Sequence, residues 1–570
     1  MERMSALDIE QSRKGRPRRA FNRWVNNPVM EDYALRYAPR SFRRWSEFTV
    51  ANSALGGIAY MADFAIGGSI ALSFGFANSL WAILVVAAII FATGIPIAYY
   101  SARYNIDMDL LTRGAGFGYY GSTLTSLVYA SFTFIYFSTE GSVMAQALNL
   151  FFHIPLAVAY LICSLIVIPL VMYGMTALSK LQVLTQPVWL ILMLGPLAAI
   201  AIKDPSAFAA WTHFAGASAS GAAFSPIEFG LACGVTLSLI AQIGEQVDYL
   251  RFMPNLTPAN RSKWWVAVLL AGPGWVILGA LKQMAGSFMA SYIDPLVGKV
   301  QADEPIHMYT YAFHTVIPSM FAALAVATFF VLLSQIKINV TNAYSGSLSW
   351  SNFFSRIFHF HPGRVVWLFL NVAIALALME WGIFGFLNTV LGFYSNVAVA
   401  WIGAMVSDIV INKMILGISP KFIEFKRGHL YNFNPVGFGS MIIASAVSIA
   451  AFFGAFGSTL QAFSALSSLA LAFILAPIIA LATKGKYYIA RESRPDYDVP
   501  VAPDGETAHR HSQAEITCSC CGYSYEMEDI LLCPFHAAPI CSLCCSLEKT
   551  CHDQCKKTPL TVTQPTVLRA

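Results

Sequence analysis

The sequence predicts an all-α polytopic membrane domain followed by a small cysteine-rich module. Composition is the first observation: of 570 residues, 56% are hydrophobic and 12% charged, with a mean hydropathy of +0.58. A soluble domain carries about 25% charge. The second is the recurrence, between residues 47 and 483, of apolar runs that reach the ~20 residues needed to cross a bilayer. The third is that nine of the eleven cysteines fall within residues 518–555. The chain divides into a basic N-terminal segment (1–45), a membrane domain (46–485), a polar linker (486–516), the cysteine-rich module (517–556) and a tail (557–570).

The N-terminal segment holds eleven Lys/Arg against five acids. A basic flank before the first span keeps the N-terminus in the cytoplasm, and no short apolar stretch of signal-peptide type precedes that span. Apolar runs then fall near 47–76, 79–101, 121–150, 155–176, 182–202, 226–250, 264–291, 316–340, 364–384, 386–412, 437–457 and 461–483. Twelve spans return the C-terminus to the cytoplasm. The connections after spans two, six, eight, ten and twelve carry Arg103, Arg113, Arg261, Lys263, Arg356, Arg364, Lys413, Lys421, Arg427, Lys484 and Lys486, whereas 203–225 and 292–315 are poor in Lys/Arg. This pattern expects a multi-pass protein of the cell inner (plasma) membrane.

Span one, Phe48–Phe76, contains the pairs Gly56–Gly57 and Gly67–Gly68 with Asp63 between them. In hydrocarbon every backbone polar group needs a partner, so loosened backbone around a carboxylate belongs beside a cavity or an ion. Span six shows a second interruption, Gly234–Phe252, crowded with Gln242, Gly244, Glu245, Gln246, Asp248 and Arg251. Matching interruptions in two halves point to an inverted repeat with its site near the midplane. The plainer alternative is that 244–252 marks the end of span six. In span three, Glu140 lies one helical turn after Tyr136 and two after Thr133, a face that suits a flat heterocycle that stacks and hydrogen-bonds; ordinary packing explains an aromatic there equally well. In span eight, Lys337 stands with Asn339, Thr341, Asn342 and Ser345. An ammonium in hydrocarbon requires carboxylate or carbonyl partners, or snorkels to the interface.

At these segments the chain resembles the nucleobase–cation symporter family, the purine–cytosine permeases and hydantoin transporters. The resemblance spans most of residues 30–485. It rests on GGSIALSFGF (67–76), YFSTEGSVMAQAL (136–148), VDYLRF (247–252), NVTNAYSG (339–346) and LNTVLGFYSNVAVAWIGAMVSDIVINK (387–413). It implies a LeuT-type fold of two inverted five-helix repeats plus two helices, alternating access and cation-coupled uptake. It further implies that Tyr136, Glu140, a position near Leu239, and Asn342 or Asn339 contact substrate; Gln242, from the interruption of span six, is a further substrate-binding candidate. Tyr and Glu replace the family's Trp and Gln on span three, and Leu239 stands where an aromatic is expected, which suits a cationic or more polar heterocycle. Asp63, Lys337 and Glu245 are the candidate ion-coupling residues, with H⁺ or Na⁺ as the ion. Lys337 aligns beside the family's sodium-binding hydroxyls, so its ammonium is expected to stand where Na⁺ would, facing Asp63 or the open carbonyls of span one.

The tail presents the pairs Cys518/Cys521, Cys533/His536, Cys541/Cys544 and Cys551/Cys555. Such spacing suits two tetrahedral Zn²⁺ sites, the first and third pairs sharing one ion and the second and fourth the other. Cys520, Cys545 and His552 are possible replacements. A disulfide framework is disfavoured in a reducing cytoplasm. The acids Glu515, Glu526, Glu528, Asp529 and Glu548 suggest a protein partner rather than nucleic acid. Protein ligands fill both zinc sites, which leaves no position for a catalytic water and argues against an enzyme. The alternative function is a transporter-like sensor that signals through the zinc module to a histidine kinase. No kinase signature appears before Ala570, so that signal would pass through a separate protein or a segment beyond this chain.

Overall fold

The computed structural model describes Asp32, residues 34–491 and residues 515–556. The basic residues up to 31, most of the linker and the tail lie outside these.

The chain is helical up to the module. Helix α1, Glu47–Gly56, opens on Ser46, whose side chain accepts from the Thr49 amide. This satisfies one of the free donors of a helix start. A 3₁₀ turn at Gly57–Ala59 and an extended Tyr60 follow (φ −59°, ψ 145°). Helix α2 then runs Ala62–Tyr104 and turns sharply at Gly75, whose φ of 74° and ψ of 176° only glycine adopts easily. The expected break in span one is therefore at 57–61, and Asp63 lies in the first turn of α2. Gly67–Gly68 does not break the helix. A Cβ on Gly67 would sit 1.9 Å from the Gln283 carbonyl oxygen, and one on Gly286 would sit 2.2 Å from that of Phe64. These two glycines let α2 lie backbone to backbone against span seven.

Next come α3 (Gly121–Phe152), α4 (Leu156–Met172), α5 (Gly174–Lys203), α6 (Pro226–Thr236) and α7 (Ile243–Leu250). A 3₁₀ stretch, Leu237–Gln242, joins α6 to α7. Span six is thus tightened through its interruption, whereas span one is opened by an extended residue. Span seven is α8 (Arg261–Ala271) and α9 (Trp275–Val297), followed by α10 (Met320–Phe358), α11 (Arg364–Glu380), α12 (Leu387–Ser407), α13 (Gly437–Phe452) and α14 (Ser464–Ala482). Helix α2 packs along α9 and α6, and α3 along α10.

Seven described helical segments are long and apolar enough to cross a membrane, and α4 and α13 are apolar but shorter. The chain is a multi-pass membrane protein on that measure. Twelve runs do not all reappear as separate apolar helices, because the first two share α2 and because α3 dilutes its apolar residues with Ser, Thr and Glu140 that face other helices.

The module is two antiparallel hairpins and a short helix. β1 (Glu515–Thr517) pairs with β2 (Ser524–Glu526), and β3 (Ile530–Cys533) with β4 (Ala538–Cys541). Helix α15, Ser542–Leu547, follows. Leu35 joins the module's own core of Tyr525, Ile530, Leu531, Ile540 and Leu543.

The contact of α2 with α9 yields a first expected outcome. In Gly286→Val the new side chain meets main chain, which cannot give way, so overpacking should cost about 1–3 kcal/mol. The check is a lowered midpoint in thermal unfolding of the detergent-solubilised protein.

Candidate functional site

The break in span one leaves carbonyls that point across the membrane domain rather than along a helix. Lys282 of α9 reaches them. Its Nζ donates to the Ile58 carbonyl at 2.7 Å and the Tyr60 carbonyl at 2.9 Å. The same nitrogen lies 3.0 Å from Asp63 Oδ2 and 3.7 Å from the centre of the Tyr60 ring. Gln283 Nε2 donates to Asp63 Oδ1 at 2.9 Å. Lys282 is 3% exposed and Asp63 is fully buried. A buried pair of this kind holds only when every remaining donor and acceptor is matched, and here the carbonyls, the ring and the Gln283 amide do the matching.

Glu140 approaches the other side of the break from α3. Its carboxylate accepts from the Met61 amide at 3.2 Å and from the Ala62 amide at 3.1 Å. It therefore caps α2 from a different helix, where the N-terminal dipole favours an anion. Gln335 of α10 donates to the Glu140 carboxylate and, at 2.9 Å, to its carbonyl. The Gln335 Oε1 accepts from the Met61 amide at 3.3 Å. The Tyr136 hydroxyl shares a 2.8 Å hydrogen bond with Ser238 Oγ, tying span three to the 3₁₀ stretch of span six beside buried Leu239. Gln242 Nε2 donates to Glu245 Oε2 at 2.7 Å, and Glu245 Oε1 is buried without a hydrogen-bond partner among the described residues.

Two expectations need correction. Lys337 does not face span one: its Nζ donates to the Gln182 carbonyl at 3.0 Å and Thr185 Oγ1 at 2.8 Å, both on α5. It is fully buried there and does not snorkel. The reason is rotational, since Lys337 lies two residues beyond Gln335 and points ~200° around the helix from it. The amide that meets Glu140 and the break in span one is Gln335, one that the sequence reading did not name beside Asn339 and Asn342. Asn342 donates to Asn339 at 3.2 Å, and Asn339 lies near Gly141, around the helix from Glu140. Asp248 and Arg251 do not simply mark an exposed helix end. Tyr129 donates to Asp248 at 3.3 Å, and Arg251 donates to the Tyr344 hydroxyl at 2.7 Å, both groups being buried.

Lys282, Gln283 and Gln335 are the residues that reading the sequence missed. The signal was present: Lys282 interrupts an apolar run just as Lys337 does, and a lysine inside a span is a site marker by default.

In the module, the sulfurs of Cys518, Cys521, Cys541 and Cys544 all lie within 4.8 Å of one another. Four thiolates around Zn²⁺ at ~2.3 Å would stand ~3.8 Å apart, so the donor set fits that ion. This joins the first and third pairs, as the spacing predicts. The second and fourth pairs do not join as expected, because His536 Nε2 turns to Cys520 Sγ at 3.5 Å and to Glu548 Oε2 at 3.4 Å. The module's acids also meet partners within this chain. Asp529 pairs with Arg36 at 3.0 Å, and Glu528 with Arg40 at 3.0 Å. Glu526 accepts from Tyr37 and from the Arg40 amide. Burial leaves the Asp529 carboxyl above its ordinary value although Arg36 and the Ser542 hydroxyl oppose the shift.

No protein-family model and no curated protein matches the chain. Solved structures do. Mhp1, a nucleobase-cation-symport-1 family transporter, in a closed conformation with bromovinylhydantoin bound, superposes with a TM-score of 0.59 at 19% identity, over 81% of this chain and 96% of that one. Mhp1 in its inward-facing conformation gives 0.54 at 18% identity, over 81% and 94%. A Na⁺-coupled sialic acid symporter in a substrate-bound outward-open state gives 0.53 at 15% identity, over 83% and 96%. The membrane part of this chain has the fold that these symporters share.

Proposed function

We propose that the chain is a secondary active transporter for a small nitrogenous heterocycle, coupled to protons rather than to sodium, with Lys282 as the resident cation at the break in span one. The observation that carries this is the contact of Lys282 Nζ with the Ile58 and Tyr60 carbonyls and with Asp63. Two carbonyls and a carboxylate form a hard-oxygen set that suits a small cation. In broken-helix transporters, unwound carbonyls are where the coupling cation sits. A tethered ammonium fills that role without an ion from outside. Protonating Asp63 would remove its charge and leave Lys282 held by the carbonyls and the Tyr60 ring alone. That loosens α9 from the head of α2, the movement that alternating access needs.

In this reading Tyr136 offers the substrate a stacking face once its hydroxyl parts from Ser238, while Gln242 and the free oxygen of Glu245 meet the polar edge. Glu140, with its carboxylate engaged by the amides of α2, shapes the site rather than binding cargo. The module lies on the cytoplasmic side, where it meets arginines of the N-terminal arm and of the loop between α12 and α13.

The test is uptake of labelled uracil, cytosine, allantoin and hydantoin into proteoliposomes. At least one should accumulate, equally in sodium and in choline, and faster with an inward proton gradient. Strong sodium dependence, or no uptake of any of the four, would sink the proposal.

A further inference from the structure

Between the break in span one and the module, the inner half of span six is bonded to spans three and eight in successive layers. The Tyr249 hydroxyl shares a 3.0 Å hydrogen bond with Thr341 Oγ1 of α10. A Cβ on Gly57 would sit 3.2 Å from that hydroxyl, so this layer lies against the break. One turn on along α10, Ser345 donates to Asp248, which also accepts from Tyr129 of α3. The Arg251 guanidinium follows, bonded to Tyr344 and 3.9 Å from Asp107. A small cavity lined by Asp107, Asp109, Ser126, Tyr129, Asp248 and Asn352 lies among these layers. Carboxylates, hydroxyls and an arginine that face one another inside a membrane domain mark a polar path. Bonds of this kind can part and be replaced by bonds to water.

Two asparagines tie this gate to the N-terminal arm. Asn352, two turns past Ser345 on α10, donates to Asp107 Oδ2 at 3.3 Å and accepts from the Leu35 amide at 2.9 Å. Asn105 donates to the Arg251 and Met253 carbonyls at 3.1 and 2.9 Å, and its own carbonyl accepts from the Ala38 amide at 2.8 Å. Both Asp107 and Arg251 are thereby connected to the arm. The arm in turn is held by the module. Leu35 sits in the module's core and Arg36 pairs with Asp529. Arg43, which donates to Asn105 Oδ1 at 2.8 Å, lies 3.7 Å from Glu526.

The module also grips the far side of the seam. His359, at the end of α10, donates through Nδ1 to the Ser546 carbonyl at 3.2 Å. Asn432, in the loop between α12 and α13, donates to Asp553 at 3.0 Å, and Lys556 donates to Asn432 at 2.7 Å. The arm leads into α1, which packs on α7 and α8, whereas α10 packs along α3. Alternating access needs one part of such a fold to move against the other. A body fastened to both sides of the seam holds it shut until one set of its bonds breaks.

We propose that the docked module is an intramolecular lock on the inner gate. While it spans the arm and the end of α10, the layers from Thr341 to Asn352 stay closed, and the path from the break opens when the module lets go. The proposal rests on the transporter reading for what crosses the gate, whereas closure of the gate is a matter of conformation alone.

Amide hydrogen exchange on the full chain in detergent tests this, comparing the unaltered protein with Arg36→Ala/Arg427→Ala and with Asn352→Leu. Residues 105–112 and 248–253 should exchange about tenfold faster or more in both variants, and residues 515–556 only in the arginine pair. Initial uptake of labelled uracil, cytosine, allantoin or hydantoin into proteoliposomes should rise severalfold in both. An arginine pair that frees 515–556 and leaves 105–112 and 248–253 unchanged would overturn the proposal. So would measurable uptake that is no faster than in the unaltered chain. No uptake by any of the three proteins, with the gate amides freed, would overturn the transporter reading and leave the lock supported. The arginine pair decides the matter even if Asn352→Leu fails to fold.

Discussion

Lys282→Met is expected to lower stability by about 3–5 kcal/mol and to leave a protein that responds to sodium. Methionine fills much of the same space, so the loss is electrostatic. Asp63 would remain buried with Gln283 as its hydrogen-bond partner, and the Ile58 and Tyr60 carbonyls would lose their donor. Breaking a buried pair on one side costs more than removing both sides, because one charge is left uncompensated. Lys282→Met with Asp63→Asn should therefore recover much of the stability. The single variant presents two carbonyls and a carboxylate with no cation of its own. Sodium at ten times its dissociation constant would restore about 1.4 kcal/mol. The measurement is the thermal midpoint in sodium chloride against choline chloride. The unaltered protein should show no difference, Lys282→Met should be raised by sodium, and the double variant should not respond. A sodium effect on the unaltered protein would remove the basis for a resident cation.

The second large effect is expected where the module meets the membrane domain. Arg36→Ala together with Arg427→Ala should release it. Arg36 pairs with buried Asp529, and Arg427 joins Asp553 and two module carbonyls. Losing buried, charge-assisted partners of this kind costs several kcal/mol. Amide exchange at the docking surfaces, residues 34–43 and 515–556, should then accelerate on the order of 10²-fold or more, as opening becomes cheaper. Arg44→Ala is the control, since Arg44 is exposed and, among the described residues, its side chain bonds the nearby Ser41 carbonyl. Equal exchange in the double variant and the control would show that the arginines do not hold the module.

Much of this site was legible because hydrocarbon makes polar residues conspicuous. Asp63, Glu140 and the break beside Gly57 stand out in apolar surroundings, and each lies at the break. The pairing of Cys518/Cys521 with Cys541/Cys544 was legible for a different reason: short ligand spacings leave few ways to close a tetrahedron. Lys337 shows where such reading fails. A buried lysine announces that it needs partners but not which helix supplies them, and a rotation of two residues around α10 separates it from Gln335. His536 fails similarly, because a turn that brings it near Cys533 in sequence also carries its ring toward Cys520.

By itself the sequence determined that this chain crosses a membrane many times, that its first span is broken around an acid, and that its C-terminal cysteines gather. Those properties follow from hydropathy, glycine placement and ligand spacing, which are local. Tertiary structure alone decided which cation meets the broken span. Gly67 and Gly286, more than two hundred residues apart, let α2 and α9 touch main chain to main chain, and only that contact carries Lys282 to the open carbonyls. Close approach of distant backbones leaves no periodic trace in either segment, so no reading of one stretch at a time reveals it.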